Sequence, residues 1–265
     1  MLLALLVWLL AITVAVLFGI QHWWFPPGIN EHARQFDHHF LLTLAITGSV
    51  FFLAQLALGW LIIRNRNRQP STTQPAHNNL AELGWTTAAA ILFIGVAGIS
   101  SQIWARVHID QPSPQAIRIE TLAKQFAWSF RYPGPDGKFG RTDIKFINDA
   151  NGNPFGIDEK DPAGKDDIVT AGLRVPAGAP VVLQLKARDV IHNFFVRELR
   201  LKQDLVPGLD TPLAFTADKP GVYEVACSEL CGLGHHQMRT TLTVMSPDEF
   251  REWLRQAGTP TGGSQ

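Results

Sequence analysis

Cys227-Ser228-Glu229-Leu230-Cys231-Gly232-Leu233-Gly234-His235-His236-Gln237-Met238 is the stretch on which the reading of this chain turns. It follows the β-branched run Val222–Ala226 and precedes another, Thr240–Val244, so it is a loop joining two strands. Two thiols, an imidazole and a thioether fall within twelve residues. Soft sulfur donors combined with imidazole select copper over hard cations. One Cys, a His and a Met would make a mononuclear copper site. The second Cys adds a second bridging sulfur, so two copper ions can share both thiolates. Such a pair calls for one further imidazole. His192, in Asp189-Val190-Ile191-His192-Asn193-Phe194 after the strand Pro180–Lys186, is the natural supplier. With no position left open for substrate, such a site carries single electrons and performs no bond chemistry.

Other readings compete. Cys227 and Cys231 are the only cysteines, and an exported chain can oxidise them to a disulfide. That bridge leaves His235 and Met238 without a role. Zinc accepts two Cys and two His but makes no use of Met238. His236 reads as solvated or as a neighbour of the ligands. His22, His32, His38 and His39 read as interface or solvated residues, with metal binding the minority reading.

Outward from the loop, short β-branched runs punctuated by Gly, Pro and Asp describe an all-β sandwich or barrel, followed by one helix over Pro247–Gln256. Pro133–Asp167 is crowded with Gly, Asp, Asn and Pro and reads as a long excursion between strands. Asp149, Asn151 and Asn153 alternate there like a calcium loop, but the Gly falls at the wrong position and the closing Glu is missing, so a solvated turn is expected. The N-terminal part differs in kind. Leu2–Ile20, Phe40–Ile63 and Leu83–Ala105 lack charged side chains and are long enough to span a bilayer. The first has no Lys or Arg ahead of it and no small-x-small site behind it, which favours a retained helix over a cleaved signal. Trp23 and Trp24 suit a headgroup region. Arg64, Arg66 and Arg68 place the loop after the second span in the cytoplasm and everything from Arg106 onward outside. Equal numbers of acidic and basic residues, 23 each, give no reason to expect a nucleic-acid partner.

The residues Cys227–Met238 resemble the copper A motif of the cytochrome c oxidase subunit II family, C-S-E-[IL]-C-G-x-x-H-x-x-M, at every specified position. Asp189–His192 and Leu201–Gly208 resemble further segments of that family, with Leu205 in place of its Ala. The resemblance spans roughly Phe40 to Leu254. It implies a membrane-anchored all-β chain, transmembrane helices followed by a cupredoxin-like Greek-key β-barrel. The expected division is 1–39 for the first helix and outer loop, 40–107 for a helical hairpin, 108–256 for the extracytoplasmic domain and 257–265 for a disordered tail. It further implies a dinuclear copper centre held by His192, Cys227, Cys231 and His235, with Met238 and the carbonyl of Glu229 as weak ligands. The Glu229 carboxylate would reach a magnesium or manganese ion shared with subunit I. Glu82 is similar to a Glu at the entrance of a proton path; a plain helix-end Glu is the equal alternative.

The implied function is subunit II of a terminal respiratory oxidase in a bacterial inner membrane. It would accept electrons from a cytochrome c-type donor and pass them to haem in subunit I, for oxygen reduction coupled to proton pumping, beside other oxidase subunits. The copper A-containing small subunit of a nitric oxide reductase is the alternative. Electrons would come in at the aromatic run Phe126–Trp128, where Phe126 replaces the family's Trp. Arg131 stands where the family has an acidic residue. A charge reversal there implies altered encounter electrostatics with a Lys-rich cytochrome.

Overall fold

A strand sends alternate side chains to opposite faces. In β2 (Ala127–Tyr132), Trp128, Phe130 and Tyr132 face one way into the core, while Ser129 and Arg131 face the other. The same alternation runs through a computed structural model that describes residues 1–21, 25–67, 78–109 and 112–258. His22, Trp23, Trp24, Arg68, most of the loop behind Asn65 and the tail from residue 259 lie outside the described residues.

The further strands are β1 (Ile117–Lys124), β3 (Ile168–Thr170), β4 (Leu173–Pro176), β5 (Val181–Ala187), β6 (His192–Val196), β7 (Leu201–Leu205), β8 (Thr211–Phe215), β9 (Gly221–Cys227) and β10 (Arg239–Met245). They form two five-stranded sheets, ordered β3-β2-β1-β5-β8 and β4-β10-β9-β6-β7. β1 pairs parallel with β5 and β4 with β10, and the other neighbours are antiparallel. Leu183, Leu185 and Leu213 from the first sheet share one core with Phe194, Val225 and Leu242 from the second. The result is a β-sandwich.

A short helix seals one flank. Its N-cap Ser246 accepts from the Glu249 N–H, and the Glu249 carboxylate accepts from the Ser246 N–H, a reciprocal capping box. Phe250 and Trp253 of this helix pack on Tyr132, whose hydroxyl donates to the Arg174 carbonyl at 2.9 Å and accepts from its N–H at 2.7 Å.

Ahead of the sandwich stand α1 (Leu2–Ile20), α2 (Glu31–Asn65) and α3 (Asn79–His108), each long and apolar enough to cross a membrane. The helix over Pro247–Ala257 is α4. α2 starts well before the apolar run at Phe40, because the Asn30 side chain accepts from the Ala33 N–H at 2.8 Å and caps the polar first turns. The chain divides into two compact units, one of residues 1–25 with 35–104, the other of 26–34 with 105 onward. Part of the outer loop expected to go with the first helix therefore belongs to the β-unit. Ile29 is buried in its core, donates from its N–H to the Glu198 carbonyl at 3.1 Å and accepts from the Asp218 N–H at 2.8 Å. Arg34 adds an ion pair to Asp218 at 2.7 Å.

The excursion between β2 and β3 roofs the outer face of the first sheet, and it corrects the reading of Arg131. That residue is 1% exposed and faces the excursion. Its guanidinium donates to Glu120 at 2.7 Å, to the Gly140 carbonyl at 2.6 Å and to Asp167, beneath the ring of Phe139. Glu120 sits directly across the β1–β2 ladder and also receives Lys186 at 2.8 Å. Arg131 is a buried tie and cannot meet a docking cytochrome, so the charge-reversal argument falls. The calcium-like alternation is likewise consumed internally. Asp149 pairs with Lys124 and Arg188, both at 2.7 Å, and Asn153 accepts from the Ile157 N–H at 2.7 Å.

Replacing Arg131 by Met should cost about 3–5 kcal/mol in denaturant unfolding, because Asp167 loses its counter-charge and Glu120 keeps only Lys186. A loss below about 1 kcal/mol would show that the network is solvated. The Asp149 tether should be acid-sensitive. Its hydrogen bonds from Arg188 and Lys124 hold the carboxyl at about 2, below its ordinary 3.8. Such a group stabilises fully above its unfolded pKa and loses that contribution as pH falls from about 4 toward 2. Amide exchange over residues 143–156 should rise across that window, and Asp149→Asn should remove the pH dependence.

Candidate metal centre

Strand pairing builds the site. β6 begins at His192, β9 ends at Cys227, and the two strands are neighbours with Phe194 opposite Cys227. The loop that follows is pinned at its start. The Ser228 N–H donates to the Asn193 carbonyl at 3.2 Å, and the Ser228 hydroxyl donates to Asn193 Oδ1 at 2.7 Å. Asn193, 1% exposed, in turn donates to Asp204 at 2.5 Å. The loop closes where the Cys227 N–H meets the Met238 carbonyl at 3.0 Å.

These constraints bring all six expected donors together. The two sulfurs lie 3.9 Å apart and are free thiols, not a disulfide, whose S–S distance is about 2 Å. His192 Nδ1 is 3.8 Å from Cys227 Sγ, and His235 Nδ1 is 3.6 Å from Cys231 Sγ. Met238 Sδ is 3.7 Å from Cys231 Sγ, and the Glu229 carbonyl is 3.2 Å from Cys227 Sγ. His192, Cys227, Cys231 and Met238 are all buried. The Glu229 side chain and His236 are exposed. Burial, with Cys227 beside it, pushes the Cys231 thiol up to about 11, so in the absence of a cation this thiol resists ionisation.

The donors suit a soft metal. His192, Cys227 and Cys231 present ligand atoms all within 4.8 Å of one another, and His235 is not a member of that group. Neighbouring donors on one tetrahedral ion sit roughly 3.5–4 Å apart. The sulfur–sulfur and sulfur–nitrogen distances here fall in that range. Among the described residues no group of His32, His38 and His39 comes together in this way. His39 instead has its Nε2 2.6 Å from the Ser100 hydroxyl.

Neighbours orient the ligands. His192 Nε2 lies 2.8 Å from Asp189 Oδ1, leaving Nδ1 for the sulfur side. Although burial pushes Asp189 upward, hydrogen bonds from the Gln125 N–H and from His192 hold its carboxyl below the usual range. Gln125 Nε2 donates to the Cys231 carbonyl at 2.5 Å, a contact that sequence reasoning missed because nothing local marks it. Phe126 is 40% exposed and packs against the loop: a Cβ added at Gly234 would stand 2.5 Å from its ring. Trp128 is 3% exposed, an edge-to-face neighbour of Phe194 beneath that surface. Glu82 stands in the first turn of α3, in the helical unit.

An apolar helical anchor followed by a β-sandwich with a thiol, imidazole and thioether cluster on one loop defines a class of membrane-anchored, extracytoplasmic domains with a soft-donor site. Residues 117–245 match the family described as cytochrome c oxidase subunit II, periplasmic domain. Over 98% of its length the chain is 33% identical to the alternative cytochrome c oxidase subunit 2 of Bradyrhizobium diazoefficiens, covering 93% of that protein. It shares 31% identity with cytochrome c oxidase subunit 2 of Thermostichus vulcanus, over 90% of this chain and 80% of that one. The crystal structure of the periplasmic domain of subunit II of cytochrome oxidase (CoxB) of Bradyrhizobium japonicum aligns with a TM-score of 0.41 and 28% identity, over 56% of this chain and 96% of that one. The chain belongs to the cytochrome c oxidase subunit II family. It is thus one subunit of a cytochrome c oxidase complex, an oxidoreductase, and works beside other oxidase subunits.

Gly234→Ala should drive the Phe126 ring off the loop and destabilise the domain by about 1–3 kcal/mol, the usual cost of overpacking. Phe126→Ala in the same chain should recover most of that loss. A double-mutant cycle with no coupling would mean the two do not touch.

Proposed function

We propose that the cluster is a dinuclear copper A centre and that the chain is the electron-accepting subunit of a terminal cytochrome c oxidase. The observation that carries this reading is the pair of free thiols 3.9 Å apart with one imidazole against each sulfur. A thiolate-bridged copper pair supplies one-electron chemistry with little change in bond lengths. The chain's own residues do the rest. His192 and His235 would hold the copper through Nδ1, Cys227 and Cys231 through their sulfurs, and Met238 and the Glu229 carbonyl as weaker donors. The buried pocket excludes water, and Asp189 fixes the His192 ring. A site held rigid from several sides changes geometry little when charge moves, which favours rapid transfer.

Phe126, half out of the surface and against the ligand loop, is the point where electrons come in from a cytochrome c-type donor, with Trp128 lying behind it in the core. Electrons leave for haem in subunit I, where oxygen is reduced and protons are pumped. The relatives are oxidase subunits, so oxygen is preferred over nitric oxide as acceptor. The exposed carboxylate of Glu229 faces outward to a magnesium or manganese ion shared with subunit I, and Glu82 marks the start of a proton path. On this reading the sandwich is a cupredoxin-like Greek-key barrel, and the three apolar helices cross a bacterial inner membrane with the β-domain on the periplasmic side.

Copper loading of the purified chain should give two ions per chain and a mixed-valence electron-spin signal shared over two equivalent nuclei. Cys227→Ser should abolish that signal and leave the far-ultraviolet circular dichroism close to wild type. One ion or none per chain after loading would overturn the assignment.

A further inference from the structure

The turn between β1 and β2 belongs to the first sheet, whereas every donor in the cluster comes from the second sheet or its loops. One residue of that turn reaches both donor-bearing loops at once. The backbone N–H of Gln125 donates to Asp189 Oδ2 at 2.7 Å, and the other oxygen of the same carboxylate lies 2.8 Å from His192 Nε2. The side chain of Gln125 turns the other way and donates through Nε2 to the Cys231 carbonyl at 2.5 Å. The approach is close enough that a Cβ at Gly232 would stand 2.8 Å from that nitrogen. Gly232 also has φ +134°, a backbone state that L side chains rarely adopt. The contact therefore needs glycine at Gly232 on two counts.

We propose that Gln125 is a positioning residue for the metal centre, locking the loop that carries His192 to the loop that carries both cysteines from across the sandwich. The proposal rests on the copper reading above and adds a residue to it. Strand pairing of β6 and β9 fixes His192 relative to Cys227, but Cys231 lies beyond the end of β9 in the loop. The Cys227 N–H bond to the Met238 carbonyl closes that loop at its ends only. Gln125 ties its middle to the β1–β2 turn by a hydrogen bond, beside the packed ring of Phe126. Without the donor at Nε2, the Cys231 carbonyl loses its partner and the loop can swing Cys231 and His235 away from Cys227.

The test uses the full-length chain loaded with copper. Gln125→Met keeps the length of the side chain and removes the donor. Gln125→Glu sets a carboxylate against the Cys231 carbonyl. Each should release copper to a chelator about 10- to 100-fold faster than wild type, the usual effect of losing a residue that supports a ligand. The electron-spin hyperfine pattern should become unequal between the two nuclei, with Glu worse than Met. Gln115→Met, the same change at an exposed glutamine ahead of β1, should keep the wild-type pattern and release rate. If both Gln125 variants match wild type in release and hyperfine pattern while holding two ions, the positioning role is refuted and the copper reading stands. If wild type itself takes up no copper pair, the copper reading fails and this inference with it.

Discussion

The antiparallel pairing of β6 with β9 is the constraint on which the rest of the molecule depends. It sets Phe194 opposite Cys227 and so fixes one imidazole and one thiol relative to each other before any loop is placed. Asn193 extends that registry into the loop through two bonds to Ser228. A slip of one residue in this ladder would turn His192 to the opposite face and dismantle the cluster. The large side chains beneath, Phe194 and Trp128 among them, make such a slip costly.

The donors themselves were legible in the sequence because their chemistry is local. Cys227, Cys231, His235 and Met238 lie on one loop, and only His192 had to be recruited from elsewhere. The strands around them were legible from β-branched runs, with boundaries shifted by a residue or two at β5, β9 and β10. What could not be read was anything decided by a covering layer. Arg131 looked like a surface charge because it alternates with core residues along β2. It is buried because the excursion folds back over that face, and no local pattern encodes where a Gly- and Asp-rich loop will lie. The long-range contacts of Gln125 escaped for the same reason.

The excursion also shows how a loop with little apolar content stays put. Its anchors are ionic, Asp167 on Arg131 at one end and Asp149 on Lys124 and Arg188 nearer the middle. The first anchor is buried and the second partly exposed, so they differ in their sensitivity to salt. Lys124 and Arg188 directly precede Gln125 and Asp189. The middle tether is therefore connected in sequence to the residues that orient His192.

Ile29 gives the molecule an unusual order of assembly. It fills a place in a core otherwise made from residues beyond β1's start, yet it leaves the ribosome before α2 and α3. A fragment cut to begin at Arg106 would fold around a missing side chain, a hole whose cost for a residue of this size is about 2–5 kcal/mol. Covalent continuity through the helical hairpin is, in this sense, part of the β-domain's interior.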